Sequence, residues 1–193
     1  MLLAAGAVAA ERWTARGRRP QPRRALLIAA PVLSMLFSLP GSMPVLPVAA
    51  LHKVPDLDVV PTADTVGWPQ LTRQVAALDA SLTRAGERPT SIFTGNYGEA
   101  GALDMLGTRD HLPPVLSGHN TFWLWGPGSA SDRTVLVVDA ISQLQPYFAS
   151  CRQLATFHEP DGTPSSFNGL ELGVCTGPSA SWRAIWPHLR HYD

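Results

Sequence analysis

Two stretches of the chain concentrate side chains that could bind or transform a polar ligand. The first reads Ser117-Gly118-His119-Asn120-Thr121-Phe122-Trp123-Leu124-Trp125-Gly126. The second holds Trp182, Trp186, His188, Arg190, His191, Tyr192 and Asp193. Aromatic faces beside amides, imidazoles and carboxylates suit sugar rings, which present apolar C–H faces and hydroxyl edges. On that chemistry His119, Asn120, Trp123, Trp125 and Trp186 are ligand-binding candidates. The competing reading makes the tryptophans core residues or membrane-interface anchors.

A third stretch, Gly95-Asn96-Tyr97-Gly98-Glu99-Ala100-Gly101, lies between a short apolar run and a helical pattern. Glycines in such a turn can bring backbone N–H groups close to an anion at a helix start. The spacing is G-x-x-G-x-x-G, which differs from the dinucleotide G-x-G-x-x-G, and no acid ends the following strand to hold a ribose. A nicotinamide or flavin cofactor is therefore not expected, and no cofactor is assigned. Close strand–helix packing accounts for the glycines equally well. Asn96, Tyr97 and Glu99 join the ligand-binding candidates. Glu99, Asp104 and His119 are the residue types of an acid/base set, although capping and surface roles suit Glu99 and Asp104 better. No G-x-S-x-G nucleophile elbow occurs, so no catalytic residue is assigned.

The chain has two cysteines, Cys151 and Cys175. Their separation lacks the close pair spacing of zinc ligands, so no metal site is expected. An even count in an oxidising compartment reads as one disulfide, with two buried thiols as the alternative.

The elements that would carry these groups alternate. A helix is predicted over 69–85, where Leu71, Val75, Leu78 and Leu82 recur at helical spacing and Gly86 and Pro89 close the run. Short strands are predicted over 90–94, 114–117 and 134–139. The last, TVLVVD, is apolar on both faces, as a central parallel strand would be. Helices are predicted over 98–106 and through Ile141, Leu144 and Phe148. Further strands are expected over 152–157 and 173–176, with a terminal helix over 180–190. This order predicts a small three-layer, Rossmann-like α/β domain with a mostly parallel sheet.

Charge patterning sets the surroundings. Arg12, Arg16, Arg18, Arg19, Arg23 and Arg24 cluster near the start, opposed only by Glu11. From Lys53 onward nine basic residues face fourteen acidic ones, a balance of −5. Residues 25–51 carry no charge. About 20 apolar residues span a bilayer, and arginines before an apolar run mark the cytoplasmic side. The expected organisation is a partial apolar segment and basic cytoplasmic loop over 1–24, a transmembrane segment over 25–51, a connector over 52–67 and an extracytoplasmic α/β domain over 68–193. A buried core helix and a secretory signal cleaved after Val48-Ala49-Ala50 are the alternatives. The ten apolar residues at the start are too few to span and would be the end of an earlier helix. Interrupted by proline and poor in aromatics, the arginine run is not expected to bind nucleic acid.

Several strings carry a family resemblance: FTGNYGEAGALDMLG, LPPVLSGHNTFWLWG, a VVD strand, CRQLATF, and CTGP followed by SW, IW and PHLRHYD. From about Asp64 to Asp193 the chain resembles the C-terminal region of bacterial glycosyltransferase family 39-like proteins, which are similar to dolichyl-phosphate-mannose protein mannosyltransferases. The resemblance implies a multi-pass membrane transferase taking a sugar from a polyprenyl-phosphate carrier outside the cell. It implies as partners the membrane, the polyprenyl-phosphate sugar, a glycan or protein acceptor, and a catalytic membrane core. The family's catalytic carboxylates sit in a first outer loop that has no counterpart in these residues. The resemblance therefore implies a fragment that assists acceptor or carrier positioning and is inactive alone. A membrane-tethered module that binds glycans or envelope partners is the other expectation.

Overall fold

The computed structural model describes residues 2–15, 20–42, 47, 64, 66–128, 133–159 and 165–192. The chain divides into two compact units, Met1–Thr62 and Ala63–Asp193. The first contains helices α1 (Leu2–Ala15) and α2 (Pro20–Ser42). Arg23 of α2 lies over the Trp13 ring of α1 at 4.9 Å and donates to the Trp13 carbonyl at 2.7 Å. Gln21–Leu39 of α2 is long and apolar enough to cross a membrane by length and composition, and none of it is buried. The helix starts before the uncharged run and continues through Pro40 and Gly41 to Ser42. The expected span over 25–51 overlaps this helix as far as Ser42. Its last part, and most of the 52–67 connector, lie outside the described residues.

The second unit is a mixed α/β domain. Its elements are α3 (Trp68–Arg84), β1 (Ser91–Thr94), α4 (Tyr97–Leu106), β2 (Val115–Ser117), β3 (Thr134–Val138), α5 (Ile141–Leu144), β4 (Phe148–Thr156), β5 (Glu171–Pro178) and α6 (Trp182–Ile185). Helix α3 starts behind Gly67 with Pro69 in its first turn, and it ends in a Schellman motif. There Gly86, at φ 82°, donates to Thr83 and Glu87 donates to Leu82. Leu71, Val75 and Leu82 are buried along its inner stripe.

The strands order as β2-β1-β3-β5-β4. β1 pairs parallel with β2 and β3, whereas β5 pairs antiparallel with both β3 and β4. The expected mostly parallel sheet is thus mixed. The physical reason is that β4 and β5 form an antiparallel pair whose second strand inserts beside β3. Alternation along the strands makes two cores. Phe93, Val135, Val137 and Cys175 meet Leu144, Trp182, Ile185 and Leu189 on one face. Ile92, Leu136, Val138 and Val174 meet Leu71, Val75 and Leu103 on the other.

The helix expected through Phe148 is a single turn, α5, followed by a 3-10 turn over Gln145–Tyr147. Pro146 lacks the N–H that would continue it, and Phe148 opens β4 instead. Both Leu144 and Phe148 still enter the same core. Cys151 and Cys175 stand opposite each other in the β4–β5 register and form the disulfide, with Cα atoms 4.1 Å apart.

Candidate functional site

The three parallel strands β2, β1 and β3 end on the same side of the sheet. From β1 the chain crosses to β2, and from β3 it leaves towards β4. The crevice between the ends of β1 and β3 is therefore a reversal of strand order, the place where open α/β sheets bind ligands. Gly95, Asn96, Asp139 and His119 all follow these strand ends.

The close approach of β1 and β3 requires the first glycine of the turn. Gly95 donates to the Val138 carbonyl, and a Cβ on it would collide with the Asp139 carbonyl oxygen. Asp139 itself takes a left-handed φ of 49°, a conformation that L side chains adopt at a cost and that recurs at functional sites. Gly101 has open space where a Cβ would stand, so packing does not explain it.

Helix α4 begins in a capping box. The Asn96 side chain accepts from Gly98 N–H at 2.6 Å, and Glu99 Oε2 accepts from Asn96 N–H at 3.4 Å. Glu99 is 1% exposed, and its Oε1 is buried with no hydrogen-bond partner. Burial, then the negative charge of Asp139, push its carboxyl up to about 8 against the opposing Asn96 N–H. The shift favours the protonated, uncharged form at neutral pH. Burial and then the charge of Glu171 also raise Asp139.

His119 is buried and lies edge-on to Tyr97 at 5.0 Å, accepting the Tyr97 backbone N–H at Nδ1. His191 stacks on His119 at 4.8 Å. The C-terminal segment is held at this point, where His119 and His191 form an isolated parallel bridge. His191 N–H bonds to the Gly118 carbonyl, and Asn120 N–H to the His191 carbonyl. The His191 ring sits between the Gly95 carbonyl, 2.8 Å from Nε2, and the Leu189 carbonyl, 2.9 Å from Nδ1. Asn120 takes a left-handed φ of 53° at the start of a 3-10 turn over Asn120–Trp125.

The tryptophans divide. Trp186 is 5% exposed and belongs to the core. Trp123 is partly buried and stacks on Trp186 at 6.5 Å, with the two rings nearly parallel. Arg190 covers Trp123 at 4.4 Å. Trp125 is 74% exposed beside Phe122. The structure thus brings Asn96, Tyr97, Glu99 and His119 together and leaves Trp125 in the open beside Phe122. Asp104 is exposed on α4, outside any acid/base set.

Sequence reasoning missed Asp139, although it closes the clearest strand in the chain. It also missed Gln143 and Tyr147, which share a cavity with residues of the C-terminal patch. Among the described residues no group of three or more His, Cys, Asp or Glu could hold a metal ion. No family model, curated protein or solved structure matches the chain.

Proposed function

We propose that the 63–193 unit is the extracytoplasmic domain of a membrane glycosyltransferase that uses a polyprenyl-phosphate sugar, and that its role is to position the acceptor or the carrier. The observation that carries this reading is the meeting of Asn96, Tyr97, Glu99 and His119 at the strand-order reversal. That group offers an exposed aromatic face and an amide beside a buried carboxylic acid, and aromatic faces with amides suit hydroxyl-bearing rings. We read the two-faced sheet as a small three-layer, Rossmann-like arrangement that displays this crevice. The apolar helix α2 supports tethering to the cell membrane, and the Cys151–Cys175 bond supports an oxidising compartment outside the cytoplasm. One buried, capping carboxylic acid does not make a transfer site for a developing charge and an acceptor proton. Catalysis belongs to a membrane core supplied by further helices, and the 193-residue chain is inactive alone.

The test is titration of the full chain in lipid nanodiscs with a short-chain polyprenyl-phosphate mannose. Saturable binding without turnover is expected, weakened about tenfold by Tyr97→Ala, whose side chain is exposed. Equal binding of free glycans would favour a membrane-tethered glycan-binding module. Turnover abolished by Glu99→Gln would make this domain an enzyme in its own right. Reporters fused after Asp193 test the orientation, because activity of a cytoplasmic reporter there excludes an outer domain.

A further inference from the structure

Among the described residues of the 63–193 unit, six large hydrophobic side chains are exposed: Tyr97, Met105, Leu106, Leu124, Trp125 and Tyr192. Four of them, including all three aromatics, belong to one edge of the domain. β1 and β2 run parallel, so the residues that follow both strands lie at a common edge. Tyr97 opens α4 after β1, and Leu124 and Trp125 end the 3-10 turn that follows β2. Tyr192 reaches the same edge beside the His119–His191 bridge. Ring contacts link the group. Phe122 meets Trp125 at 4.3 Å, and Arg190 lies over both Trp123 and Tyr192. Tyr97 meets His119, which stacks on His191.

Three features fit this edge to a bilayer surface. Residues 120–128 carry no charge, so the turn can leave water without burying an ion. The Phe122 and Trp125 rings meet at 43°, which makes a wedge and not a flat platform for a sugar face. Exposed indole and phenol rings are the side chains that settle at the membrane–water interface. The chain also enters the domain here. Asp64 accepts from Ser165 and Ser166, and Phe167 packs on Trp68 at 4.4 Å. Both rings come within 4 Å of where a Gly98 Cβ would stand, next to Tyr97. Twenty-one residues lie between Ser42, the end of α2, and Asp64, a stretch that reaches at most about 75 Å. With α2 in a bilayer, that length keeps the edge close to lipid, and a weak contact suffices to hold it. We infer that this edge docks on the phospholipid surface, Phe122, Leu124 and Trp125 entering the headgroup layer with Tyr97 and Tyr192 beside them. The inference rests on the reading of α2 as a membrane span. It deepens the proposed role, because the sugar of a lipid carrier lies at that surface and docking brings the Asn96–Tyr97–His119 crevice to it.

The test uses the full chain in phosphatidylcholine nanodiscs, one chain per disc, with some lipids carrying a headgroup nitroxide. The native cysteines are paired, so an introduced cysteine takes a fluorophore alone. Thr121 is exposed in the docking turn, and a label on Thr121→Cys should be quenched by the nitroxide. Ala85 is exposed at the far end of α3, about 25 Å along the helix from Trp68. A label on Ala85→Cys should stay bright. Trp125→Ser should shift the docked-to-undocked ratio at Thr121→Cys roughly tenfold towards undocked. High salt should leave the quenching in place, since the contact is not ionic. Equal quenching at both positions, none at Thr121→Cys, or no effect of Trp125→Ser would each overturn the docking while the tether stands. Quenching seen only with two chains per disc would assign the edge to a second copy instead. A chain that does not enter the disc would remove the tether and this inference with it.

Discussion

Trp123 and Trp186 exchange hydrogen bonds: each indole Nε1–H donates to the other's backbone carbonyl at 3.0 Å. The pair ties the 3-10 turn after β2 to the turn after α6, and Arg190 rests on its outer face. Residues 63 positions apart in the chain are locked by two polar contacts in a largely apolar setting. Trp186→Phe removes one donor and leaves the Trp123 carbonyl with the Gly126 N–H alone. The lost hydrogen bond costs about 0.5–1.5 kcal/mol, read as a lower thermal midpoint of the full chain. A Trp123→Phe, Trp186→Phe double variant should lose less than the sum of the singles, because both changes break the same clasp.

The disulfide joins directly opposed residues of β4 and β5, 24 positions apart. Closing a loop of that size in the unfolded chain stabilises the fold by roughly 2–4 kcal/mol. Cys151→Ser with Cys175→Ser should lower the melting temperature accordingly. Non-reducing peptide mapping of the native chain should recover the two cysteines in one linked fragment, and recovery of both as free thiols would contradict the pairing.

Glu99 makes stability depend on pH in a defined direction. Unfolded, its carboxyl titrates near 4.5; folded, it keeps its proton to about 8. Between those values the native state binds more protons than the unfolded state, so this group's contribution falls as pH rises. The slope is on the order of 1.4 kcal/mol per pH unit. Glu99→Gln keeps the shape and removes the titration. It should melt near the parent at pH 5 and above it at pH 8. Parallel melting curves for the two proteins across that range would refute the burial argument.

Gly118 is where the C-terminal segment docks. A Cβ there would collide with the Leu189 carbonyl oxygen, and the Gly118 carbonyl itself accepts the His191 N–H. Gly118→Ala must push the segment away from the β2 loop. A destabilisation of about 1–3 kcal/mol is expected from the overlap. Hydrogen exchange should accelerate at the His191 amide while the amides of β3, in the sheet centre, stay protected.

Much of the local structure was legible in the residues. Leu71, Val75 and Leu82 recur at helical spacing, and α3 buries them. The apolar run 134–138 became the central strand β3, buried on both faces. The first part of the uncharged stretch after the arginines lies in a helix long and apolar enough to cross a membrane. An even pair of cysteines became a bond. Each of these follows from the neighbours of a residue in the chain, because periodicity, proline and glycine act over a few positions.

What the tertiary structure decided depends on which distant elements meet. No local signal sets β5 between β3 and β4; its insertion there made an expected parallel sheet mixed. Nothing in the sequence separates Trp186, sealed in the core, from Trp125, left in solvent, since an indole suits both places and only packing chooses. Glu99 read as a cap and is one. Its burial, and its proximity to an acid 40 positions away, exist only once β1 and β3 lie side by side. The same holds for the cavity that gathers Gln143, Tyr147 and Arg190: short-range patterning determines the elements, while burial and charge environment are properties of contacts made across the whole chain.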